Sequence, residues 1–416
     1  MAPDPASGGV TPLPHPLDGI RVLDFSRVVA GPIAGRMLSD LGADVVKVEP
    51  PEGDLTRVWG EVRHGLSGFY VQQNAGKRNV CFDLKGDRGA AAGAVLRRLA
   101  AAADIVIENF RPGVMERLGL GYDTLSSEHP EVIMLSISGF GQTGPERDRA
   151  AYAPVIHAES GLLARHSTFD EAWPSDLMLS TADTNAGLHG VVAVLSALWL
   201  RQRTGRGQHI DMAMLDAALA TDDYAHHAVD RSEVKRLGGI VYDVCGGPLL
   251  VAGTFSNTWY VANRRLGVAD PAPADADRDT KIRLRREALV AWFAALPDRA
   301  TAKRLLDDVG LAWAELPTTE EAVASPQAVA RGVVATIPDG GDAGGTRGVV
   351  QSPYRFSAAA AGVRGAAPHR GQHNAEVLSE WLGLEPEEIA ALVRARILLG
   401  GSGMDEGTEG AKEVGR

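Results

Sequence analysis

LDGIRVLDFSRVVAGPIAGRMLSDLGADVVKVEPP, residues 17–51, is the stretch whose reading decides the fold. Residues 20–25 form a short apolar run, Gly31-Pro32 follows, a helical pattern covers 34–41, and a second apolar run fills 45–48 before Glu49-Pro50-Pro51. Short apolar runs separated by a helix are expected of strands that pair in parallel and are buried on both faces. The unit recurs downstream: residues 79–82, 105–107 and 132–136 read as further strands, with an alanine-rich helix over 87–102. The expected fold class is α/β, a parallel sheet covered on both faces. Ligands of such sheets lodge beyond the carboxyl ends of the strands. The informative residues are therefore Arg27-Val28-Val29-Ala30-Gly31, Glu49-Pro50-Pro51, Asp83-Leu84-Lys85, Asn109-Phe110-Arg111-Pro112-Gly113 and Gly139-Phe140-Gly141.

A second stretch, STADTNAGLHGVVAVLSALWLRQRTGRGQHIDMAML over residues 180–215, sets one carboxylate, Asp183, at the mouth of a long apolar helix. The helix is expected over 184–203, with Leu188, Val191, Val192, Leu195, Leu198 and Trp199 recurring at three- and four-residue steps. Such a face wants to be buried. Thr204-Gly-Arg-Gly stops the helix, and residues 208–214 alternate like a strand. Asp183 has two readings. It is an N-cap, accepting the first free amides at the positive end of the helix dipole, or a nucleophile placed near amides that could hold an oxyanion.

With 416 residues the chain is long enough for two domains. It carries 45% hydrophobic residues, 23% charged residues and a net charge of −11, which removes any chain-wide electrostatic footprint for nucleic acid. Two cysteines, Cys81 and Cys245, exclude a disulfide framework and point to a reducing cytoplasm. Residues 1–16 read as a loose Pro- and Gly-rich arm and 400–416 as a disordered tail, and no apolar run is long enough to span a membrane. The texture changes after the alternating strand, so the domains are expected as 17–214 for the first part of a large domain, 215–330 for a smaller α+β domain, and 331–399 for a return to the large one. Helical patterns in the middle part cover 217–229, 257–266, 282–296 and 301–305, and a final helix is expected over 374–382.

Two motifs mislead. Gly139-Phe-Gly141-Gln-Thr-Gly144 matches the dinucleotide fingerprint, but Pro145 and a charged run follow where a helix should open, so no nicotinamide or flavin is expected. His369 and His373 have the spacing of a helical metal pair, yet Pro368 and Gly371 make that segment a loop, and no metal is expected.

Several motifs then match one family in order. Residues 16–24, 41–51, 104–113 with Leu118-Gly119, 138–145, Asp183-Thr-Asn-Ala-Gly187, 203–211 and 368–382 together resemble the family III CoA-transferases, the CaiB/BaiF group. The resemblance implies a Rossmann-like large domain with a parallel sheet, a smaller α+β domain, and two subunits interlocked as a homodimer. It implies coenzyme A as substrate in the form of acyl-CoA, with a carboxylic acid as acceptor, and Asp183 as the nucleophile that forms an aspartyl anhydride and then an enzyme–CoA thioester. Carried over position by position, CoA contacts are expected at Val29 and Ala30, at Phe82, Asp83, Leu84 and Lys85, at Asn109, Phe110 and Arg111, at Arg117, and at Arg149, Ala150, Ala151 and Tyr152. Phosphates call for such cations and strand-end amides.

Departures bear on the substrate. The family's 2-methylacyl-CoA racemases have histidine where this chain has Tyr152, and a phenol with a pKa of about 10 is a poor base. The oxalate branch shares the tyrosine but has glutamate and glutamine where this chain has Ala153 and Val29. A larger, less polar acid than oxalate or formate is therefore expected. His157 stands where relatives often have glutamine, and either lines the pocket or packs. The rival readings are an isomerase of the same fold, epimerising or moving CoA within one molecule, and a silent subunit of a heteromeric transferase. The latter would have no need of Asp183.

Overall fold

The computed structural model of the chain describes residues 12–85, 88–170, 173–232, 238–341 and 344–400, the side chains of 169 and 170 excepted. The arm expected over 1–16 lies outside the described residues as far as residue 11, and the tail expected over 400–416 does so from 401. Two compact units emerge, Met1–Ala225 with Gly332–Arg416, and His226–Arg331.

The larger unit is built on six strands: β1 (Arg21–Asp24), β2 (Asp44–Glu49), β3 (Arg78–Cys81), β4 (Ile105–Glu108), β5 (Ile133–Ser138) and β6 (His209–Ala213). They lie in the order 3-2-1-4-5-6, and every pairing is parallel. The α/β class read from the chain is the class found. Alternation of side chains sends two apolar layers to opposite faces. Val22, Ile105 and Ile133, aligned across three strands, pack under α1 (Ala30–Asp40), while Leu23, Val106 and Met134 pack under α2 (Arg88–Ala101). All six side chains are at most 1% exposed, and each contributes about 1.5–3 kcal/mol by leaving water.

The edge strand β3 does not stay open, as an unpaired edge invites another strand. Asn79 Oδ1 accepts the Gly371 N–H at 2.6 Å, Asn79 N–H donates to His373 Nδ1 at 3.2 Å, and Asn374 Oδ1 accepts the Cys81 N–H at 3.0 Å. The segment 368–374 is thus an edge cover, and His373 serves it. A helix, Pro386–Arg394, follows the expected Asn374–Leu382, its start marked by a Glu385–Glu388 capping box.

In the smaller unit three antiparallel strands, β7 (Ile240–Asp243), β8 (Pro248–Val251) and β9 (Trp313–Glu315), pack Tyr242, Leu249 and Val251 against Trp259, Phe293 and Leu306. Its helices Phe255–Arg265, Arg278–Ala294 and Arg299–Val309 begin at Thr254, Asp277 and Asp298, whose side chains accept the N–H of Asn257, Thr280 and Thr301. The pattern expected over 217–229 is two helices, Met214–Ala220 and Ala225–Asp230, the first of which packs on the helix that carries Asp183 and so stays with the larger unit. Among the described residues no helix is long and apolar enough to cross a membrane.

Candidate active site

The winding of the sheet reverses between β1 and β4, and that is where a crevice opens in such sheets. The two loops at the reversal are tied together: the Arg27 N–H donates to Asn109 Oδ1, and Asn109 Nδ2 donates back to the Arg27 carbonyl, both at 2.8 Å. The next turn is held by Glu108, whose Oε2 accepts the Phe110 N–H at 2.7 Å. Burial pushes the Glu108 carboxyl up to about 7, against hydrogen bonds from Ser136 and Phe110.

Above these loops lies a cleft of about 280 Å³. Asp183 opens into it from α4 (Thr181–Thr204), three residues earlier in its start than the expected 184. Ser180 therefore holds the N-cap position and makes no side-chain bond there, while Asp183 sits third in the helix. Its carboxylate does not cap its own helix. The backbone amides of Ala30 and Ala153, the first residues of α1 and of α3 (Ala153–Glu159), face it closely enough to favour its charged form. Three helix N-termini thus meet at one carboxylate, each adding positive potential. Burial nevertheless dominates and pushes Asp183 up to about 6, with the two amides pulling the other way.

The spacing Asp183-Thr-Asn-Ala-Gly187 has a packing reason. Gly187 lies one turn below Asp183, and a Cβ there would come 2.1 Å from Ile33 Cγ2 and 2.8 Å from the Ala30 carbonyl. Only glycine lets α4 touch α1 closely enough for the Ala30 amide to reach Asp183. Gly139 does the same across the cleft, where a Cβ would meet that of Ala151 at 2.3 Å. No helix opens after Gly144, since the next begins at Ala153, and the Gln142 N–H donates instead to Asp211 at 3.0 Å.

The cleft brings together nine of the expected site residues: Asp183, Ala30, Asn109, Phe110, Arg111, Arg149, Ala150, Ala151 and Tyr152. It adds Arg27, which the chain marked only as a strand-end residue, and Leu55, Arg147 and Met214, which the chain alone did not mark. Arg147 could have been found from the Glu146-Arg-Asp-Arg149 run just ahead of Tyr152. Four arginines in one cleft make a local anion site on a chain of net charge −11. Arg27 lies over the Phe110 ring at 5.5 Å, and its buried Nε makes no hydrogen bond among the described residues. Arg149 is held by Glu159 at 2.6 Å.

The other expected residues lie elsewhere. Val29 is the buried N-cap of α1, and Phe82 is 0% exposed behind the sheet. Asp83 pairs with Arg88 at 2.9 Å, and the exposed Lys85 pairs with Glu52. Leu84 and Arg117 line a separate groove with Arg97 between α2 and the turn Val114–Arg117. Among the described residues there is no group of three His, Cys, Asp or Glu that could hold a metal ion.

The family described as CoA-transferase family III matches residues 17–374. Succinyl-CoA–D-citramalate CoA-transferase of Chloroflexus aurantiacus is 32% identical over 92% of this chain and 98% of its own length. Succinate–glutarate CoA-transferase of Agrobacterium fabrum is 34% identical over 88% of this chain and 95% of its own length. The crystal structure of a CAIB/BAIF family protein from Brucella suis superposes with a TM-score of 0.73 at 31% identity, covering 88% of this chain and all of that one. The chain belongs to CoA-transferase family III, enzymes that act on acyl-CoA and carboxylates.

Proposed function

We propose that Asp183 carries CoA between two carboxylic acids. Its carboxylate attacks the donor thioester carbonyl, the C–S bond breaks, and an aspartyl–acyl anhydride and CoA thiolate result. The thiolate then attacks Cγ of Asp183, the anhydride C–O bond breaks, and the donor acid leaves from an enzyme–CoA thioester. An acceptor carboxylate runs the same two steps in reverse. Covalent passage keeps the thioester energy without ATP. The observation that carries this reading is the position of Asp183: exposed to a cleft, yet faced by the first amides of two other helices. Those amides can shift to the carbonyl oxygen of the anhydride as charge develops there.

The reading assigns CoA to the arginine-lined cleft through Ala30, Asn109, Phe110, Arg111 and the residues 149–152, with Val29 behind them. Lys85 and Arg117, with Phe82, Asp83 and Leu84 beside them, are proposed for the phosphates at the far end of the molecule. Val29 and Ala153 supply no polar side chain near Asp183, which favours a longer acid than oxalate. The test is hydroxylamine trapping with succinyl-CoA as first donor and glutarate as first acceptor, followed by a wider screen of acids. A hydroxamate on Asp183 located by peptide mass spectrometry is the expected product. A protein that exchanges the α-proton of an acyl-CoA and yields no hydroxamate belongs to the isomerase reading instead.

The same reading includes an interlocked homodimer in the cytoplasm. One side of α4, with Val191, Val194 and Leu198, is buried in this chain, but Leu188, Val192, Leu195 and Trp199 form a stripe on the other side that is not. Trp199 is 66% exposed and Val192 61%. A stripe of that spacing suits a second copy. Sedimentation equilibrium should find twice the mass of the chain, and Trp199→Glu should abolish that species; a wild-type protein sedimenting as a single chain would defeat this part of the reading. Both cysteines are free, in keeping with a reducing compartment.

A further inference from the structure

His157 is 1% exposed and sits on α3, the helix whose first amide faces the Asp183 carboxylate. Its ring joins two other parts of the chain. Nδ1 lies 2.9 Å from Asp176 Oδ1. Nε2 lies 2.8 Å from Thr181 Oγ1 and accepts the Ala182 N–H at 3.2 Å. Since Ser180 gives α4 no side-chain cap, the imidazole supplies one from a different helix. A backbone N–H can only donate, so Nε2 must present its lone pair. The ring's one remaining proton then resides on Nδ1, where the Asp176 carboxylate accepts it.

We propose that Asp176 selects the His157 tautomer that pins the first turn of α4 to α3, making both of them positioning residues for Asp183. The logic is one of shared supports. α3 faces Asp183 with the Ala153 amide and holds its neighbour Ala182 through a hydrogen bond to His157. Were that turn free to shift, the carboxylate would leave the Ala30 and Ala153 amides together, and a displacement of the order of 1 Å is enough to cost about 100-fold in rate. The inference rests on the acyl-transfer reading of Asp183.

Three variants separate positioning from bulk packing. A glutamine carboxamide oxygen can stand where Nε2 stands and accept the Ala182 N–H, whereas leucine fills the space and accepts nothing. With succinyl-CoA as donor, His157→Leu should lower kcat roughly 10- to 100-fold with KM changed by less than about twofold, and His157→Gln should recover to within about threefold of wild type. Asp176→Asn should fall between them, because an amide no longer dictates which nitrogen carries the proton. A second readout needs no turnover: nitrogen-15 NMR of the His157 ring at neutral pH should show Nδ1 protonated and Nε2 bare, with Asp176→Asn moving the proton toward Nε2. A proton on Nε2 in the wild type overturns the proposal, as does His157→Leu at the wild-type rate or His157→Gln as slow as His157→Leu. If His157→Leu does not fold, the glutamine and asparagine variants and the spectrum decide. If wild-type protein yields no hydroxamate, the acyl-transfer reading fails, and the ring spectrum still decides the tautomer.

Discussion

Replacing Asp183 with asparagine is expected to lower CoA transfer by at least about 10⁴-fold while making the protein more stable at neutral pH. The first effect follows because, among the described residues, no other carboxylate lines the cleft, and an amide cannot form the anhydride. The second follows from linkage. The folded-state carboxyl lies near 6 and its ordinary value is 3.8, so the charged form is disfavoured by folding. A raised value contributes stability that is complete below 3.8 and is lost as pH rises through 6. Asparagine does not titrate, so it escapes that loss. The gap between 3.8 and about 6 converts to roughly 3 kcal/mol, of which about 2 should survive, since an amide answers the two facing N–H groups less well than a carboxyl does. Differential scanning calorimetry should therefore show asparagine and wild type alike near pH 4 and the variant melting higher at pH 7 to 8 by a few degrees. The pH profile of hydroxamate formation should fall on the acid side with a midpoint near 6, as protonation removes the nucleophile. A variant that transfers CoA at even one-tenth of the normal rate would refute Asp183 as the covalent carrier.

The strands were readable from residues 17–51 onward because both faces are buried, which makes each strand a continuous apolar run. The starts of helices were harder. Gly31-Pro32 reads as punctuation, yet α1 begins at Ala30, because a proline in the first turn gives up an N–H that has no partner in any case. Asp183 reads as a cap of its own helix when only local spacing is available, but the amides that act on it lie about 150 and about 30 residues back, at Ala30 and Ala153 respectively. No spacing rule links His157 to Asp176, which are brought together only by the packing of α3 on α4. Lys47 is the sharpest case. It stands in a strand buried on both faces, where a charge is not expected, and it is 0% exposed because Asp54 and the Ser26 carbonyl receive it. Long-range satisfaction of a buried charge leaves no local trace in a sequence.

That buried pair carries the second large prediction. Lys47 Nζ lies 3.0 Å from Asp54 Oδ2, both side chains are 0% exposed, and Nζ also donates to the Ser26 carbonyl at 2.6 Å. Asp54 additionally accepts the Thr56 N–H at 3.0 Å and the Val28 N–H at 3.3 Å. Val28 has φ of +69°, a conformation that a β-branched residue adopts only under constraint, and it lines the cleft beside Arg27. Asp54 is thus the support on which the loop after β1 is bent. Burial alone would raise its carboxyl, but the Lys47 charge and the Thr56 bonds outweigh that and hold it at about 2. Asp54→Ala should cost about 3–5 kcal/mol in chemical denaturation, because it leaves a buried ammonium without its partner. Lys47→Met combined with Asp54→Leu should regain most of that stability, since neither charge then needs solvation. The double variant should still bind CoA poorly, because nothing in it accepts the Val28 N–H, and isothermal titration would show stability and binding parting company. A carboxyl held below its ordinary value contributes stability that is present above 3.8 and lost as pH falls through 2, so the gap between wild type and Asp54→Ala should narrow across that window. A cost below about 1 kcal/mol for Asp54→Ala would mean that Lys47 reaches water or another acceptor, and the loop would then owe its bend to something other than this pair.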